Sequence, residues 1–151
     1  MAQIFRANVG IVLVRNDNHV LMFERQDVPG AWQFPQGGID EGEEPISAAY
    51  RELEEETGLI KNNVMLIGEY PEWLIYELPE SLRHKKPNMR GQAQRWFVFD
   101  LQGNENLINL SVNDYPEFSA YKWVKLSLIE NIAVSFRKPI YRALARFIAH
   151  L

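Results

Sequence analysis

The segment of residues 37–59, GGIDEGEEPISAAYRELEEETGL, limits the possible folds more than any other part of the chain. It predicts one amphipathic helix and contains residues typical of a helix start and of a helix end. Pro45 suits the first turn of a helix, and Gly58 suits the residue that follows the last turn. We therefore predict a helix over roughly residues 45–57.

Short apolar runs on both sides of this helix predict strands. NVGIVLV and HVLMFER are separated by Asn16, Asp17 and Asn18, which predicts an antiparallel hairpin. VMLIGEY, WLIYEL, RWFVFDL and AYKWVKL predict further strands, RHKKPNMRGQ predicts an exposed loop, and KPIYRALARFIAHL predicts a final helix. This order of elements predicts a single domain over residues 1–151, either α+β or a mixed sheet flanked by helices.

Composition and charge narrow the classes of function. The 46% apolar and 24% charged residues are typical of a globular domain. The absence of cysteine excludes disulfides, thiolate metal sites and cysteine nucleophiles. A net charge of −4 gives no general attraction for nucleic acid, so a polyanionic substrate needs local positive charge or metal ions. Without a long apolar run or a signal-peptide pattern, the chain is expected to be cytoplasmic and to have no membrane partner.

Like charges gather on one side of the predicted helix. At about 100° per residue, Glu52, Glu55 and Glu56 fall on that side, and apolar residues occupy another. Carboxylates three and four residues apart destabilise an exposed helix by roughly 0.2–0.5 kcal/mol per pair. Arg51 can pair with Glu55 but cannot neutralise all three charges. A divalent cation would convert the repulsion into a binding site, whereas spacing alone also allows a solvated acidic surface.

The complete motif distinguishes the cation site from the solvated acidic surface. Gly37, Glu43, Arg51-Glu52-Leu53, Glu55-Glu56 and Gly58-Leu59 match the pattern G-x5-E-x7-R-E-U-x-E-E-x-G-U, in which U is a bulky aliphatic residue. This phrase resembles the Nudix box. The resemblance implies an α/β/α sandwich built on a mixed sheet, in which the helix carries two or more Mg²⁺ ions, or Mn²⁺ as a substitute, for hydrolysis of a phosphate chain.

The resemblance also implies roles for individual residues. The expected metal ligands are glutamates of the helix, a backbone carbonyl and a carboxylate of the later PEF sequence: Glu52, Glu55, Glu56, Gly37 and Glu117. Arg51 would orient the glutamates, and Glu43 would support the loop before the helix. Either Glu56 or Glu117 would accept the proton of the attacking water, because the identity of this base varies within the family.

Segments outside the box resemble bacterial RNA pyrophosphohydrolases and the related dinucleoside polyphosphate hydrolases. They occur in the same order along nearly the whole chain: RANVGIV, WQFPQGGID, WLIYELPE, GQAQRWF, PEF with KWV, and VSFRKPIY. By this resemblance, the residues that contact phosphate or stack on a base are Arg6, Arg25, Tyr76, Gln94, Phe136 and Arg137. Position 137 departs from the pattern, which has lysine there, and this leaves the base preference open. Since neighbours on a strand face opposite ways, at most one of Gln94 and Arg95 is expected to reach the site.

The leading prediction is hydrolysis of a phosphoanhydride in 5′-triphosphorylated RNA, which leaves a 5′-monophosphate and serves mRNA decapping and decay. Metal ions would neutralise the polyphosphate and lower the pKa of a bound water. One alternative is cleavage of dinucleoside polyphosphates such as diadenosine tetraphosphate, which needs the same metals. The other is a noncatalytic module that binds RNA ends. The RHKKPNMR segment is predicted to be merely exposed rather than to guide RNA, and no oligomeric state is predicted.

Overall fold

The computed structural model describes residues 3–83 and 88–151 of the chain. In this part the strands are β1 (Ile4–Arg15), β2 (His19–Arg25), β3 (Trp32–Gln33), β4 (Gln36–Gly38), β5 (Val64–Glu69), β6 (Leu74–Glu77), β7 (Met89–Leu101) and β8 (Phe118–Lys125). The helices are α1 (Pro45–Thr57), α2 (Ile129–Ile132) and α3 (Lys138–Ala149), and a 3₁₀ turn (Ser135–Arg137) precedes α3. None of the helices in these residues combines the length and the apolarity that a membrane span requires.

The strands form one mixed sheet. Strand β1 pairs in parallel with β7 from Ile4 to Val14, and it forms the predicted antiparallel hairpin with β2. Strand β8 extends the sheet beyond β2, while β5 and β6 pair with successive parts of β7. The short strand β4 pairs with β1 over Asn8, Val9 and Gly10. The middle of the sheet is therefore built by the two longest strands, β1 and β7.

Helices cover both faces of this sheet, and each face has its own apolar cluster. Helix α1 contributes Leu53 to one cluster, and α3 contributes Leu144 to the other. Successive residues of β1 serve the two clusters in turn, since Ile11 packs with α1 and Val12 packs with α3. The expected α/β/α sandwich on a mixed sheet is confirmed.

Two sequence predictions about element boundaries have different outcomes. Helix α1 spans residues 45–57 as predicted, and Gly58 follows it with a φ of 76°, donating its N–H to the carbonyl of Glu54 at 2.9 Å. The prediction of a loop over RHKKPNMRGQ is wrong for residues 89–92, which begin β7. These residues pair with both β1 and β6, so two neighbouring strands hold them extended. Residues 84–87 of that segment lie outside the described residues.

The motif WQFPQGG contains β3, β4 and the two residues between them, and its residues contact both helical layers. Phe34, between the two strands, is buried, and its backbone N–H donates to the hydroxyl of Tyr141 in α3 at 3.0 Å. Along β4, the side chain of Gln36 contacts Tyr76 of the α3 cluster. The next residue, Gly37, faces α1, because a Cβ built on it would overlap the carboxylate of Glu52. Strand β4 thus separates the acidic helix from a group of amide and aromatic side chains.

Candidate active site

Arg51 joins the loop before α1 to the glutamates of the helix. Its Nε and Nη2 donate to the two carboxylate oxygens of Glu43, each at 2.9 Å. Its Nη1 donates to Glu52 at 2.9 Å and to Glu55 at 3.5 Å, and its Nη2 also donates to the carbonyl of Gly38 at 2.8 Å. Hydrogen bonds from Arg51, and then from the backbone N–H of Asp40, lower the pKa of Glu43 to about 2.

Glu52 and Glu56 are held in a buried environment. Only 9% of Glu52 is exposed, and burial raises the pKa of this carboxyl against the opposing hydrogen bond from Arg51. Burial is also the largest cause that raises the pKa of Glu56 to about 10, and the charges of Glu52 and Glu117 add to it. The loop carboxylate of Glu117 thus acts electrostatically on the helix carboxylate of Glu56. We call Glu52, Glu55, Glu56 and Glu117 the acidic group.

The acidic group has the chemistry of a site for a hard divalent cation. The Oε2 atom of Glu56 is buried and has no hydrogen-bond partner among residues 3–83 and 88–151. Such an atom is costly to ionise unless a cation faces it. In the same residues no three acidic or histidine side chains are already arranged to hold a metal, and Glu52 and Glu55 instead contact Arg51. The ligand set of Gly37 and the four glutamates therefore stays a prediction.

Tyr76, Phe136 and Arg137 meet on the other side of β4, and we call them the aromatic–arginine cluster. The ring centroids of Tyr76 and Phe136 are 5.6 Å apart at an interplanar angle of 34°. The guanidinium carbon of Arg137 lies 5.2 Å from the Phe136 centroid and 5.8 Å from that of Tyr76. Its Nη1 donates to the Oε1 of Gln33 at 2.9 Å. The structure thus brings three of the predicted substrate residues together, with Phe136 and Arg137 half-buried over a Tyr76 that is 5% exposed.

Gln94 is connected to this cluster through Gln36, whose side chain contacts Tyr76. It is 1% exposed, its Nε2 donates to the Oε1 of Gln36 at 3.0 Å, and its Oε1 accepts from the Nε1 of Trp96 at 3.1 Å. Arg95 faces the other way and forms an ion pair with Glu69, so the expected alternation along the strand is present. Gln94 is therefore placed to support Gln36, and direct contact between Gln94 and a substrate stays a prediction.

Among residues 3–83 and 88–151, the other two predicted substrate residues make no hydrogen bond or ring contact with the aromatic–arginine cluster. The guanidinium of Arg6 lies against Gly38, where a Cβ would overlap it. Arg25 forms an ion pair with Asp27 at 2.7 Å. In the described part of the chain, no hydrogen bond or ring contact joins Arg25 to the cluster. Its backbone instead pairs with that of Phe118, next to the predicted catalytic Glu117.

A set of amide side chains that was not predicted from the sequence links the strands next to the aromatic–arginine cluster. Gln33 and Gln36 belong to it, as does Asn8, whose Nδ2 donates to the Oε1 of Gln92 at 2.5 Å. The sequence does contain an indication of these amides, because WQFPQGG and GQAQRWF each place two glutamines near each other. In GQAQRWF the two glutamines are two residues apart, and such residues share one face of a strand.

Comparison with protein families and with their members gives the same family throughout. The family model described as NUDIX domain matches residues 4–145. The RNA pyrophosphohydrolase of Rhodospirillum rubrum is 44% identical over 139 residues, which cover 91% of this chain and 82% of that protein. Nudix hydrolase 25 of Arabidopsis thaliana is 41% identical over 145 residues, with 91% and 82% of the two chains covered.

Solved structures of this family share the fold. The E. coli dihydroneopterin triphosphate pyrophosphohydrolase superposes with a TM-score of 0.77 at 25% identity, covering 99% of this chain and 100% of that one. A C. elegans Ap4A hydrolase in a binary complex superposes with a TM-score of 0.71 at 24% identity, covering 97% and 99%. The matched family model, the relatives and the shared fold lead to one conclusion: the chain belongs to the Nudix hydrolase family.

Proposed function

We propose that this chain hydrolyses a phosphoanhydride bond at the 5′ end of triphosphorylated RNA and leaves a 5′-monophosphate. The observation that carries the proposal is the position of the acidic group across β4 from the aromatic–arginine cluster. A triphosphate needs cations, and an unstacked first base needs a flat aromatic or guanidinium surface beside them. We place this activity in the cytoplasm, in mRNA decapping and decay, with residues 1–151 acting as one domain.

Divalent metal ions complete the proposed site. Nudix hydrolases generally use such ions, for example Mg²⁺. We assign two or more Mg²⁺ ions, or Mn²⁺ as a substitute, to carboxylates and one carbonyl: Glu52, Glu55, Glu56, Glu117 and Gly37. The support is the unpaired Oε2 of Glu56 and the absence of a side chain at Gly37, which lets the carboxylate of Glu52 lie directly against the backbone of Gly37. When bound, the ions would neutralise phosphate charge and lower the pKa of a water.

The protein's own groups would orient the substrate and accept the proton. Arg51 holds Glu52 and Glu55 in place, and its contact with Glu43 keeps the loop of β4 next to α1. The charge of Glu117 contributes to the raised pKa of Glu56. We assign acceptance of the proton of water to either Glu56 or Glu117, with the other carboxylate as a ligand. On the opposite side, Arg137 and Phe136 would hold the first base, and Arg6 and Arg25 would contact phosphate.

Sequence similarity supports RNA as the first choice of substrate. The 44% identical relative from Rhodospirillum rubrum carries the name RNA pyrophosphohydrolase. A dinucleoside polyphosphate is the second candidate, because the aromatic–arginine cluster would hold an adenine ring as readily as the first base of an RNA. Both substrates present the same phosphate chain to the acidic group and differ in the leaving group.

A comparison of substrates tests this proposal. Triphosphorylated RNA, diphosphorylated RNA, capped RNA, diadenosine tetraphosphate and free nucleoside triphosphates are supplied at equal concentration with Mg²⁺. We expect the highest kcat/KM for triphosphorylated RNA, with release of pyrophosphate or of successive orthophosphates. A strong preference for diadenosine tetraphosphate would transfer the proposal to the second candidate. Equal and negligible release by the native protein and a Glu56→Gln variant would indicate a module that only binds.

A further inference from the structure

A chain of hydrogen bonds runs from the core of the sheet to the aromatic–arginine cluster. It begins at the indole of Trp96, which is 0% exposed, and passes through the amides of Gln94 and Gln36. It ends where the Nε2 of Gln36 donates to the hydroxyl oxygen of Tyr76 at 3.3 Å. We call Trp96, Gln94 and Gln36 the amide chain.

The direction of every bond in the amide chain follows from its first member. An indole nitrogen can only donate, so Gln94 must present its carbonyl oxygen to Trp96. The amide nitrogen of Gln94 then faces Gln36, which must present its own carbonyl oxygen there. This leaves the amide nitrogen of Gln36 to face Tyr76. The orientation of both amides is thus fixed by the chemistry of a buried tryptophan.

The hydroxyl of Tyr76 is left with a proton to donate. Its oxygen accepts from Gln36, and residues 3–83 and 88–151 provide no acceptor for its hydrogen among their side chains and carbonyls. Its ring cannot move freely, because Phe136 packs against it and Arg137 lies over it. The amide chain therefore makes Tyr76 a donor of fixed position.

A phosphate oxygen is the ligand that suits such a donor. Phosphate oxygens only accept hydrogen bonds, whereas base edges present both donors and acceptors. Gln36, which holds the hydroxyl, directly precedes Gly37, and Gly37 lies against the carboxylate of Glu52. The Arg6 guanidinium lies against the following residue, Gly38. Residues 36 and 38 share one face of β4, so the hydroxyl and the Arg6 guanidinium lie on the same side of this strand, one residue along it from the position that faces Glu52.

We propose that the amide chain is a positioning device that fixes the Tyr76 hydroxyl as a hydrogen-bond donor to a phosphate oxygen of the substrate. Tyr76 contacts the substrate, while Gln36, Gln94 and Trp96 are positioning residues that act through it. The inference rests on the proposed function in requiring a polyphosphate substrate, and it holds for RNA and for dinucleoside polyphosphates alike.

A double-mutant cycle with Gln94→Met and Tyr76→Phe tests this inference. Methionine keeps the size of the glutamine but cannot donate to Gln36, whose amide is then free to reverse. Each single variant is expected to lower kcat/KM about tenfold, because each weakens or removes a hydrogen bond to a charged phosphate group. In the Tyr76→Phe background, Gln94→Met should change kcat/KM by less than about twofold, because the hydroxyl it positions is absent. Gln36→Met serves in the same cycle if Gln94→Met does not fold.

The control is Gln102→Met, which removes an exposed amide that donates to Asp100 at 2.6 Å, away from the site. It should leave kcat/KM unchanged in both backgrounds. The assay uses whichever polyphosphate the native protein hydrolyses fastest. A tenfold loss from Gln94→Met in both backgrounds would mean that the chain only supports the fold and would overturn the inference. A negligible effect of Tyr76→Phe would also overturn it, whereas native protein inactive on every polyphosphate would overturn the proposed function as well.

Discussion

The two sides of β4 differ in how their polar groups are satisfied. On the α1 side, Glu52 and Glu56 lie in a buried environment, Arg51 contacts Glu52 and Glu55, and an oxygen of Glu56 has no partner among the described residues. On the α3 side, the amides of Gln36 and Gln94 are neutral and hydrogen-bonded to each other. Among the described residues, the first side therefore leaves a buried carboxylate oxygen unsatisfied, while the amides of the second side bond to each other.

This difference predicts two kinds of response to mutation. On the acidic side, a substitution changes charge, so its effects should be large and should depend on pH and metal. On the amide side, a substitution changes the direction of a hydrogen bond or the shape of a stacked surface, and its effects should be smaller and insensitive to pH.

Glu56→Gln should produce the largest effect. It removes a ligand and a candidate base, so we expect kcat to fall about 10³-fold with Mg²⁺ in a phosphate-release assay. It also removes a carboxyl whose ionised form is disfavoured by burial, so the melting temperature in EDTA at pH 8 should not fall. Together, kcat and the melting temperature distinguish a loss of catalysis from a loss of stability.

Glu54→Gln is the matched control, because Glu54 lies on the same helix but is exposed. Its kcat should stay within about twofold of the native value. Equal losses of kcat in the two variants would show that the total acidic charge of the helix matters rather than the position of Glu56. The predicted difference between Glu56 and the exposed Glu54 would then be wrong.

Arg51→Lys should lower the free energy of unfolding in urea by about 2 kcal/mol. Lysine keeps the charge but cannot form the bidentate contact with Glu43 while also reaching Glu52 and Gly38. In the control Arg142→Lys, the affected pair with Glu130 is exposed to solvent, and no resolvable change in the free energy of unfolding is expected. Similar losses in both variants would refute the role of Arg51 as the link between loop and helix.

The metal-free protein should become less stable as pH rises. The pKa of Glu56 is raised in the folded state from 4.5 to about 10, so its contribution favours folding below pH 4.5 and is lost as pH rises toward 10. Glu43 acts oppositely, since its pKa of about 2 gives stability that is lost only as pH falls below 4.5. Urea unfolding in EDTA between pH 5 and 9 measures the slope.

Mg²⁺ should flatten that slope, because a bound cation replaces the proton on the buried carboxyl. Titration calorimetry at pH 7 in buffers of different ionisation enthalpy should detect release of about one proton on Mg²⁺ uptake. Glu56→Gln should abolish both the slope in EDTA and the proton release. If the native protein takes up Mg²⁺ without releasing a proton, Glu56 is already ionised and the electrostatic description of the acidic side fails.

Helix α1 could be predicted from the sequence because its signals are local. Pro45, Gly58 and the spacing of glutamates all lie within one short segment, and its bounds are confirmed. The start of β7 could not be predicted this way, because the polar, glycine-containing sequence MRGQ has little strand propensity. Pairing with β1 and β6 holds it extended, and that pairing joins residues far apart in the chain.

The amide chain was beyond prediction for a similar reason. Its glutamines and tryptophan lie on β4 and β7, and they reach Tyr76 on β6 only because β1 and β6 bring these strands together. Strand β4 itself, with the sequence QGG, carries no strand pattern and is extended through its pairing with β1. The resemblance to a family identified Tyr76 and Gln94, but only the sheet shows that one supports the other through Gln36.

Arg137→Lys should give the smallest effect, an increase of about threefold in KM for triphosphorylated RNA with kcat unchanged. Lysine keeps the positive charge, but it cannot present a planar guanidinium to the rings of Phe136 and Tyr76 and at the same time donate to Gln33. The loss should be the same at pH 6 and pH 8, since no carboxyl of the acidic group is altered. Arg146 is an exposed arginine on α3, and Arg146→Lys is the control for replacing an arginine by a lysine outside the cluster. A decrease in kcat that depends on pH would show that Arg137 acts on the acidic side, and the separation of the two sides by β4 would not extend to catalysis.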